Sequence, residues 1–192
     1  MKTFKIFLIA TCFIFLGVSQ AKAQEFSADM VSRNGNETFS AKVYVAGQKS
    51  RTETADSIII TRMDKNVSYM VMPAEQMYME HPIDPRMAPK ASKEFAGELE
   101  RQSLGKEIVD GQSAEKFKVT YAENGKQESV YQWLTDQQIP IEVEAVDGSW
   151  AMEYKNLKVG TQPADLFEPP AGYQKMSMPS FGAGMLQGMT GE

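Results

Sequence analysis

Residues 26–53 read FSADMVSRNGNETFSAKVYVAGQKSRTE, and this stretch decides the fold class. Apolar side chains alternate with polar neighbours in both of its halves, at Phe26, Ala28, Met30, Phe39, Ala41, Val43 and Val45. An alternation with a period of two is typical of strands that bury one face. The sequences Asn34-Gly35-Asn36 and Ala46-Gly47-Gln48 are tight-turn signals, so the stretch predicts consecutive antiparallel hairpins.

The same pattern continues along most of the chain. Further strands are predicted at residues 49–53, 57–63, 67–72, 76–80, 107–109, 114–121, 128–134, 139–146 and 150–159. Turn signals recur every 8–12 residues or so, a spacing typical of antiparallel sandwiches and barrels. Strands do not alternate with helices, which argues against a parallel sheet. The sequence therefore predicts one mainly β domain over residues 24–175.

One helix is expected to interrupt the strands. Residues 81–89 contain three prolines, which exclude a central strand. Ser92 is a suitable N-cap, and Phe95 and Leu99 are four residues apart on one side of a helix. A short helix at residues 91–102 is therefore predicted to cover the sheet.

Both ends of the chain have a distinct composition. Lys2 and Lys5, an apolar run at 7–18 and the small residues of Ala21-Lys22-Ala23 predict a signal peptide, residues 1–23, cleaved before Gln24. The apolar run is shorter than the roughly 20 residues of a membrane-spanning helix, so a periplasmic protein without stable membrane insertion is expected.

At the other end, residues 165–173 are expected to dock on the sheet. Residues 176–192, rich in Met and Gly, are expected to form a flexible tail.

Charge and cysteine content exclude several functions. The formal net charge of −5 becomes about −8 once the three lysines of residues 1–23 are removed, which opposes binding to nucleic acid or to an anionic membrane. Cys12, the one cysteine, leaves with the signal peptide, so disulfides and thiol chemistry are excluded from the exported chain. A monomer is expected.

Few residues suit catalysis. The chain has one histidine, no Gly-x-Ser-x-Gly motif and no glycine-rich phosphate loop. Glu142 and Glu144 alternate along a predicted strand and are interpreted as a solvated outer face. No catalytic residue and no cofactor are predicted, and the protein is expected not to be an enzyme.

A soft metal site is one alternative that the sequence leaves open. Met77, Met79 and His81 point the same way if their strand continues through His81, and thioether with imidazole is a donor set suited to Cu(I). Methionine is also a deformable filler of cores and grooves, so these residues equally suit an apolar cavity.

Some predicted strands are apolar on both faces, as at residues 58–60 and 67–72, and such strands are covered on both sides by protein or by a ligand. A ligand cavity and a completely filled core, as in an envelope structural or regulatory module, both satisfy this pattern. The predicted cavity residues are Met30, Val43, Val45, Ile58, Ile60, Met70, Met72, Met77, Met79, Trp133, Val143 and Trp150.

Several of these segments resemble a known family. The sequences WLT (133–135), IPIEV (139–143), YKNLKVG (154–160) and ADLFEPPAGY (164–173) are similar to segments of LolA/LolB-like periplasmic carriers. FSADM (26–30), GQKSR (47–51) and MPAEQMYME (72–80) are similar to an exported subfamily of the same superfamily. The resemblance extends over nearly the whole exported chain.

The resemblance implies an open antiparallel half-barrel of about eleven strands, with a helix over its apolar concave side. In the carriers this cavity holds the acyl chains of a lipoprotein, so the implied partners are lipid or lipoprotein acyl chains and, as an alternative, other envelope proteins. The carriers also keep an arginine at the cavity mouth, for which Arg51 and Arg62 are the candidates here.

Overall fold

The computed structural model describes residues 24–83, 95, 97–123 and 125–176, and within them twelve strands form one open sheet. The strands are β1 (Glu25–Asn34), β2 (Glu37–Ala46), β3 (Lys49–Glu53), β4 (Ile58–Arg62), β5 (Val67–Met72), β6 (Met77–Pro82), β7 (Glu98–Val109), β8 (Gln112–Glu123), β9 (Lys126–Thr135), β10 (Pro140–Ala145), β11 (Trp150–Val159) and β12 (Gln174–Met176). Their order across the sheet is β12-β6-β5-β4-β3-β2-β1-β11-β10-β9-β8-β7. The predicted mainly β, open antiparallel architecture is confirmed.

Two meanders meet in the middle of the sheet. Strands β1 to β6 follow one another as hairpins, strands β7 to β11 do the same, and β1 pairs with β11 to join them. The first turns occur where the sequence predicts them, because Gly35 and Gly47 take left-handed φ angles of 57° and 61° that other residues adopt at a cost.

The prediction of a covering helix at residues 91–102 is wrong where the structure describes it. Glu98–Val109 is strand β7, whose pairing with β8 runs from Glu98 opposite Tyr121 to Val109 opposite Gln112. Residues 91–94 and 96 lie outside the described part.

The four-residue spacing of Phe95 and Leu99 has another origin. The Phe95 ring stacks on Tyr121 with centroids 5.1 Å apart, whereas Leu99 is exposed at a register shift in β7. Pairing with a neighbouring strand outweighs the weak helical preference of these few residues, since propensity is easily overridden by tertiary contacts.

The sheet has two faces that differ along its length. We call the side bearing Val43 the Val43 face and the side bearing Ile60 the Ile60 face. Neighbouring residues across strands share a face, so the pairing of Tyr44 with Arg51, and of Arg51 with Ile60, places all three on the Ile60 face.

The Val43 face is closed by its own side chains between β1 and β8. Val43 lies in a central buried cluster with Phe26, Ala28 and Tyr154. A second buried cluster extends to the β8 side of the sheet and contains Phe95, Val119, Tyr121, Val130 and Val143. Among the described residues, side chains of the sheet itself and the ring of Phe95 bury this half.

The Ile60 face is closed at the other half of the sheet by the C-terminal segment. A 3₁₀ helix at Ala164–Phe167 inserts Phe167 between Ile60 and Val71, and all three side chains are fully buried. The chain then adds β12 parallel to β6, with Gln174 opposite Met77. The expected docking of residues 165–173 is therefore seen on the Ile60 face.

The ends of the chain carry predictions that the structure does not describe. The expected signal peptide, residues 1–23, and residues 177–192 of the expected tail lie outside the described residues. Among the helices of the described ranges, none combines the length and the apolar composition required to cross a membrane.

Candidate apolar binding surface

One row of side chains crosses seven strands on the Val43 face. The register places these residues opposite one another in turn: Ala28, Val43, Thr52, Ile59, Met70, Met79 and Met176. We call this the Val43 row. Thr52 is its polar member, and its side chain still presents a methyl group. The row is a continuous apolar track from the buried centre to the β12 edge.

Exposure rises along this track. Ala28 and Val43 are each 4% exposed, whereas Ile59, Met70 and Met176 are 41%, 38% and 39% exposed. None of the buried clusters of the described residues includes Ile59 or Met70. A contiguous apolar surface of this kind, joined to a core at one end, is typical of interaction and ligand-binding sites.

The register divides the predicted cavity residues between the two faces. Those on the Val43 face are Met30, Val43, Val45, Met70, Met72, Met77, Met79, Val143 and Trp150. Ile58 and Ile60 lie on the Ile60 face, whereas Trp133, beside a register shift in β10, packs in the same central buried cluster as Val43. The structure thus brings most of the set onto one surface, but it does not enclose all of them in one cavity.

The methionines of that set are concentrated at the β12 edge. Met70 is paired with Met79 and Met72 with Met77, and all four are at least partly accessible. Val143 and Trp150 lie far along the sheet, in and against the cluster around Val119. Sequence reasoning missed Ile59 and Met176, which lie in the Val43 row.

Arg51 and Arg62, the predicted cavity-mouth arginines, lie on the Ile60 face and hold the C-terminal segment. Arg51 donates from Nη1 to the Leu166 carbonyl at 3.0 Å and from Nε to Glu53 at 2.6 Å. Both arginine side chains are buried, so these hydrogen bonds take the place of the hydrogen bonds that each guanidinium group would otherwise make with water.

Arg62 makes the more extensive set of contacts. It donates to both Asp64 carboxylate oxygens at 2.8 and 2.7 Å, to the Phe167 carbonyl at 3.2 Å and to Glu168. The hydrogen bonds from Arg62 lower the pKa of Asp64 to about 2. The charged network therefore fixes the turn that inserts Phe167.

The Trp133 side chain is buried, and both its N–H group and its ring contact charged side chains. Its Nε1 donates to Glu107 at 2.8 Å, and the Lys116 ammonium lies 4.5 Å from its ring centroid. Lys116 also lies 4.7 Å from the ring centroid of Tyr131. These contacts satisfy both the ring and its N–H, as expected of a structural tryptophan.

Carboxylates line the Ile60 face near β10. Glu142 lies opposite Glu153 and two residues from Glu144. Burial, followed by the charges of Glu153 and Glu144, raises the pKa of Glu142. In the described part of the chain, no three side chains drawn from His, Cys, Asp and Glu come together as a metal site.

An open depression of about 460 Å³ lies at the tip of the first hairpin, apart from the Val43 row. Its lining residues are Ser32, Asn34, Glu37, Thr38 and Phe39. This lining contains none of the predicted site residues.

A family model with the description "Domain of unknown function (DUF4412)" matches residues 20–142. The chain belongs to the DUF4412 family. No curated protein matches it. The match extends from before β1 into β10, so the family region contains most of the Val43 row and both buried arginines.

Solved structures show the fold of this DUF4412 protein. An uncharacterized conserved protein from Thermus thermophilus is 13% identical with a TM-score of 0.54, over 83% of this chain and 93% of that one. MucB in complex with MucA(peri) is 12% identical with a TM-score of 0.52, over 82% of this chain and 58% of that one. The Pseudomonas aeruginosa MucA/MucB complex is 12% identical with a TM-score of 0.52, over 79% of this chain and 57% of that one.

The DUF4412 chain therefore spans little more than half of the matched MucB chains. MucB has a LolA/LolB-like fold, so the predicted fold is confirmed. At these identities the likeness concerns the fold alone.

Proposed function

We propose that this protein is exported to the cell envelope and binds an apolar ligand, a lipid or the acyl chains of a lipoprotein, without covalent chemistry. The observation that supports this function most directly is the Val43 row, which leads from a buried core to exposed apolar side chains at one edge. A linear track of this shape fits an extended acyl chain better than it fits a compact polar ligand.

The energetics suit reversible binding. Burial of apolar surface contributes about 0.8 kcal/mol per CH₂ group, so one acyl chain lying along several strands gains useful affinity. An open sheet leaves part of the chain exposed, which limits that gain and allows release. The LolA/LolB-like fold supports the same class of ligand, since acyl chains are what the carriers of that superfamily hold in their cavity.

The test is native mass spectrometry of protein purified from the periplasm, together with uptake of a fluorescent fatty acid. We expect an adduct of lipid mass and saturable uptake. The double variant Ile59→Glu/Met70→Glu places two carboxylates on the track at exposed positions, and it should weaken uptake about tenfold or more because a charge is costly to bury against a hydrocarbon chain.

Leu104→Glu is the matched control, since Leu104 is similarly exposed but belongs to β7 at the opposite edge of the sheet. It should leave uptake unchanged. A bare protein mass with no fatty-acid uptake, or equal loss in both variants, would refute acyl binding on the Val43 face.

A second candidate function, binding an envelope protein, is favoured by the edge strand β7. Leu99, Leu104 and Ile108 are exposed there, and an edge strand offers unpaired backbone groups to another chain. A photo-crosslinking residue at Ile108 that captures one defined protein in cells, while the same residue at Ile59 captures none, would favour this function over acyl binding.

A further inference from the structure

The strands at the β12 edge assemble thioether groups around the one histidine of the chain. On the Val43 face, Met79 lies opposite Met70 on one side and opposite Met176 on the other. Met77 precedes Met79 by two residues and His81 follows it by two, so these side chains project from the same face of β6. Three strands thus bring soft donors to one place.

These methionines are not part of the adjacent core. On the same strands, the core positions are Val71 and Tyr78, which pack with Phe167 on the Ile60 face. Met70 and Met176 are instead exposed, and Met77 and Met79 are partly exposed. Methionine often fills gaps in a core because its side chain is deformable, but that role does not explain methionines on an accessible face.

His81 is available as a nitrogen donor. It is partly exposed, its strand partner is Ser68, and its side chain has no hydrogen bond to another described residue. The structure also continues β6 through Pro82, so His81 is in phase with Met77 and Met79. Opposed residues have Cβ atoms about 4.5–5.5 Å apart, and the three side-chain torsions of methionine let neighbouring sulfurs converge.

We propose that Met79 and His81, joined by Met70 of the neighbouring strand, bind one monovalent copper ion. Because a strand rises about 3.3 Å per residue, Met77 lies about 13 Å from His81 along β6, too far for both to ligate one ion. Thioether and imidazole are soft or borderline ligands that select Cu(I) over the hard cations Mg²⁺ and Ca²⁺. Neutral donors also match a singly charged ion, because no carboxylate is needed to balance it. This site goes beyond acyl binding, although it occupies the outer end of the same face.

The test is a titration of the periplasmic protein with Cu(I) against a chromogenic Cu(I) chelator, with native mass spectrometry of the Ag(I) adduct as a redox-stable check. We expect one tightly bound ion. Met77→Leu/Met79→Leu keeps side-chain volume and apolar character. It should therefore weaken Cu(I) binding at least 30-fold while leaving the unfolding midpoint nearly unchanged.

Met63→Leu is the matched control, since Met63 is 38% exposed, like Met70, but lies in the turn after β4. It should bind copper as the wild type does. His81→Ala should weaken Cu(I) binding at least fivefold and remove the nitrogen scatterer from the copper-edge X-ray absorption spectrum.

Three outcomes would overturn the site. The first is no stoichiometric ion in the wild type. The second is an ion that survives Met77→Leu/Met79→Leu, which would assign it to other methionines such as Met178, Met185 and Met189 of the C-terminal sequence. The third is equal loss in Met63→Leu. Each leaves acyl binding separately testable, because fatty-acid uptake is measured on the copper-free wild type.

Discussion

Strands β3 to β6 present two faces of opposite character. On the Ile60 face, the C-terminal segment inserts Phe167 between Ile60 and Val71 and two buried arginines hold its backbone. On the Val43 face of the same strands, Ile59 and Met70 are exposed. The comparison shows that, within the described residues, the C-terminal segment closes one side of these strands and an apolar track remains exposed on the other.

Removing the closing side chain should have the largest effect. Phe167→Ala empties a fully buried aromatic site, and we expect it to lower the free energy of unfolding by about 3–5 kcal/mol in urea denaturation. Ile59→Ala, on the open face of the same sheet, should cost less than about 1 kcal/mol. Similar losses in the two variants would mean that the Val43 face is also packed, and the contrast between the faces would be lost.

The buried arginine network should have the next largest effect. Arg62→Met removes the donor to the Phe167 carbonyl, leaves Asp64 without its ion-pair partner and leaves Glu168 with Lys65 alone, so we expect a loss of about 3 kcal/mol in unfolding free energy. Arg33→Met, at an exposed position of β1, is the control and should change stability by less than about 0.5 kcal/mol. An equally small effect at Arg62 would show that Phe167 docks without this network.

The two faces explain what the sequence could and could not predict. The strands follow from local signals, since alternation and turn residues act within one hairpin. The face of each residue depends on register, and Ile58, Ile59 and Ile60 are locally equivalent isoleucines. The structure places Ile59 on the open side and its two neighbours under Phe167, the opposite of the predicted cavity set.

A signal for this register was present in the sequence. Residues 63–66 form a short loop between β4 and β5 that pairs Arg62 with Val67, and counting back from that pair sets Ile59 opposite Met70.

No comparable signal identifies β12, because its parallel pairing with β6 joins residues nearly a hundred positions apart. The strand β7 was missed for the same reason at residues 98–102, where pairing with β8 decides the conformation.

Acid should weaken the closed face before it affects the open one. The pKa of Asp64 falls from 3.8 to about 2 in the folded protein, so the stability from its contact with Arg62 is present above pH 4 and is lost as the pH falls toward 2. Asp64→Asn should therefore be less stable than the wild type at pH 6, with the difference shrinking between about pH 4 and pH 2. Urea unfolding at several pH values measures it, and a constant difference would contradict the assigned ion pair.

The smallest effect is expected where the Ile60 face carries like charges on β10 and β11. Glu142 lies opposite Glu153, and partial burial together with these neighbouring carboxylates raises its pKa. A raised carboxyl pKa means that the folded state binds the proton more tightly, so this group favours folding at low pH and opposes it once the pH rises above its folded pKa. Glu142→Gln should accordingly stabilise the protein by about 0.5 kcal/mol at pH 7, with little gain near pH 4, where wild-type Glu142 is largely protonated.

Glu128→Gln, at an exposed position of β9, is the control. A loss of stability at pH 7 in Glu142→Gln would show instead that Arg33 and Lys116 compensate the three carboxylates, and that the charged part of the Ile60 face is a balanced network.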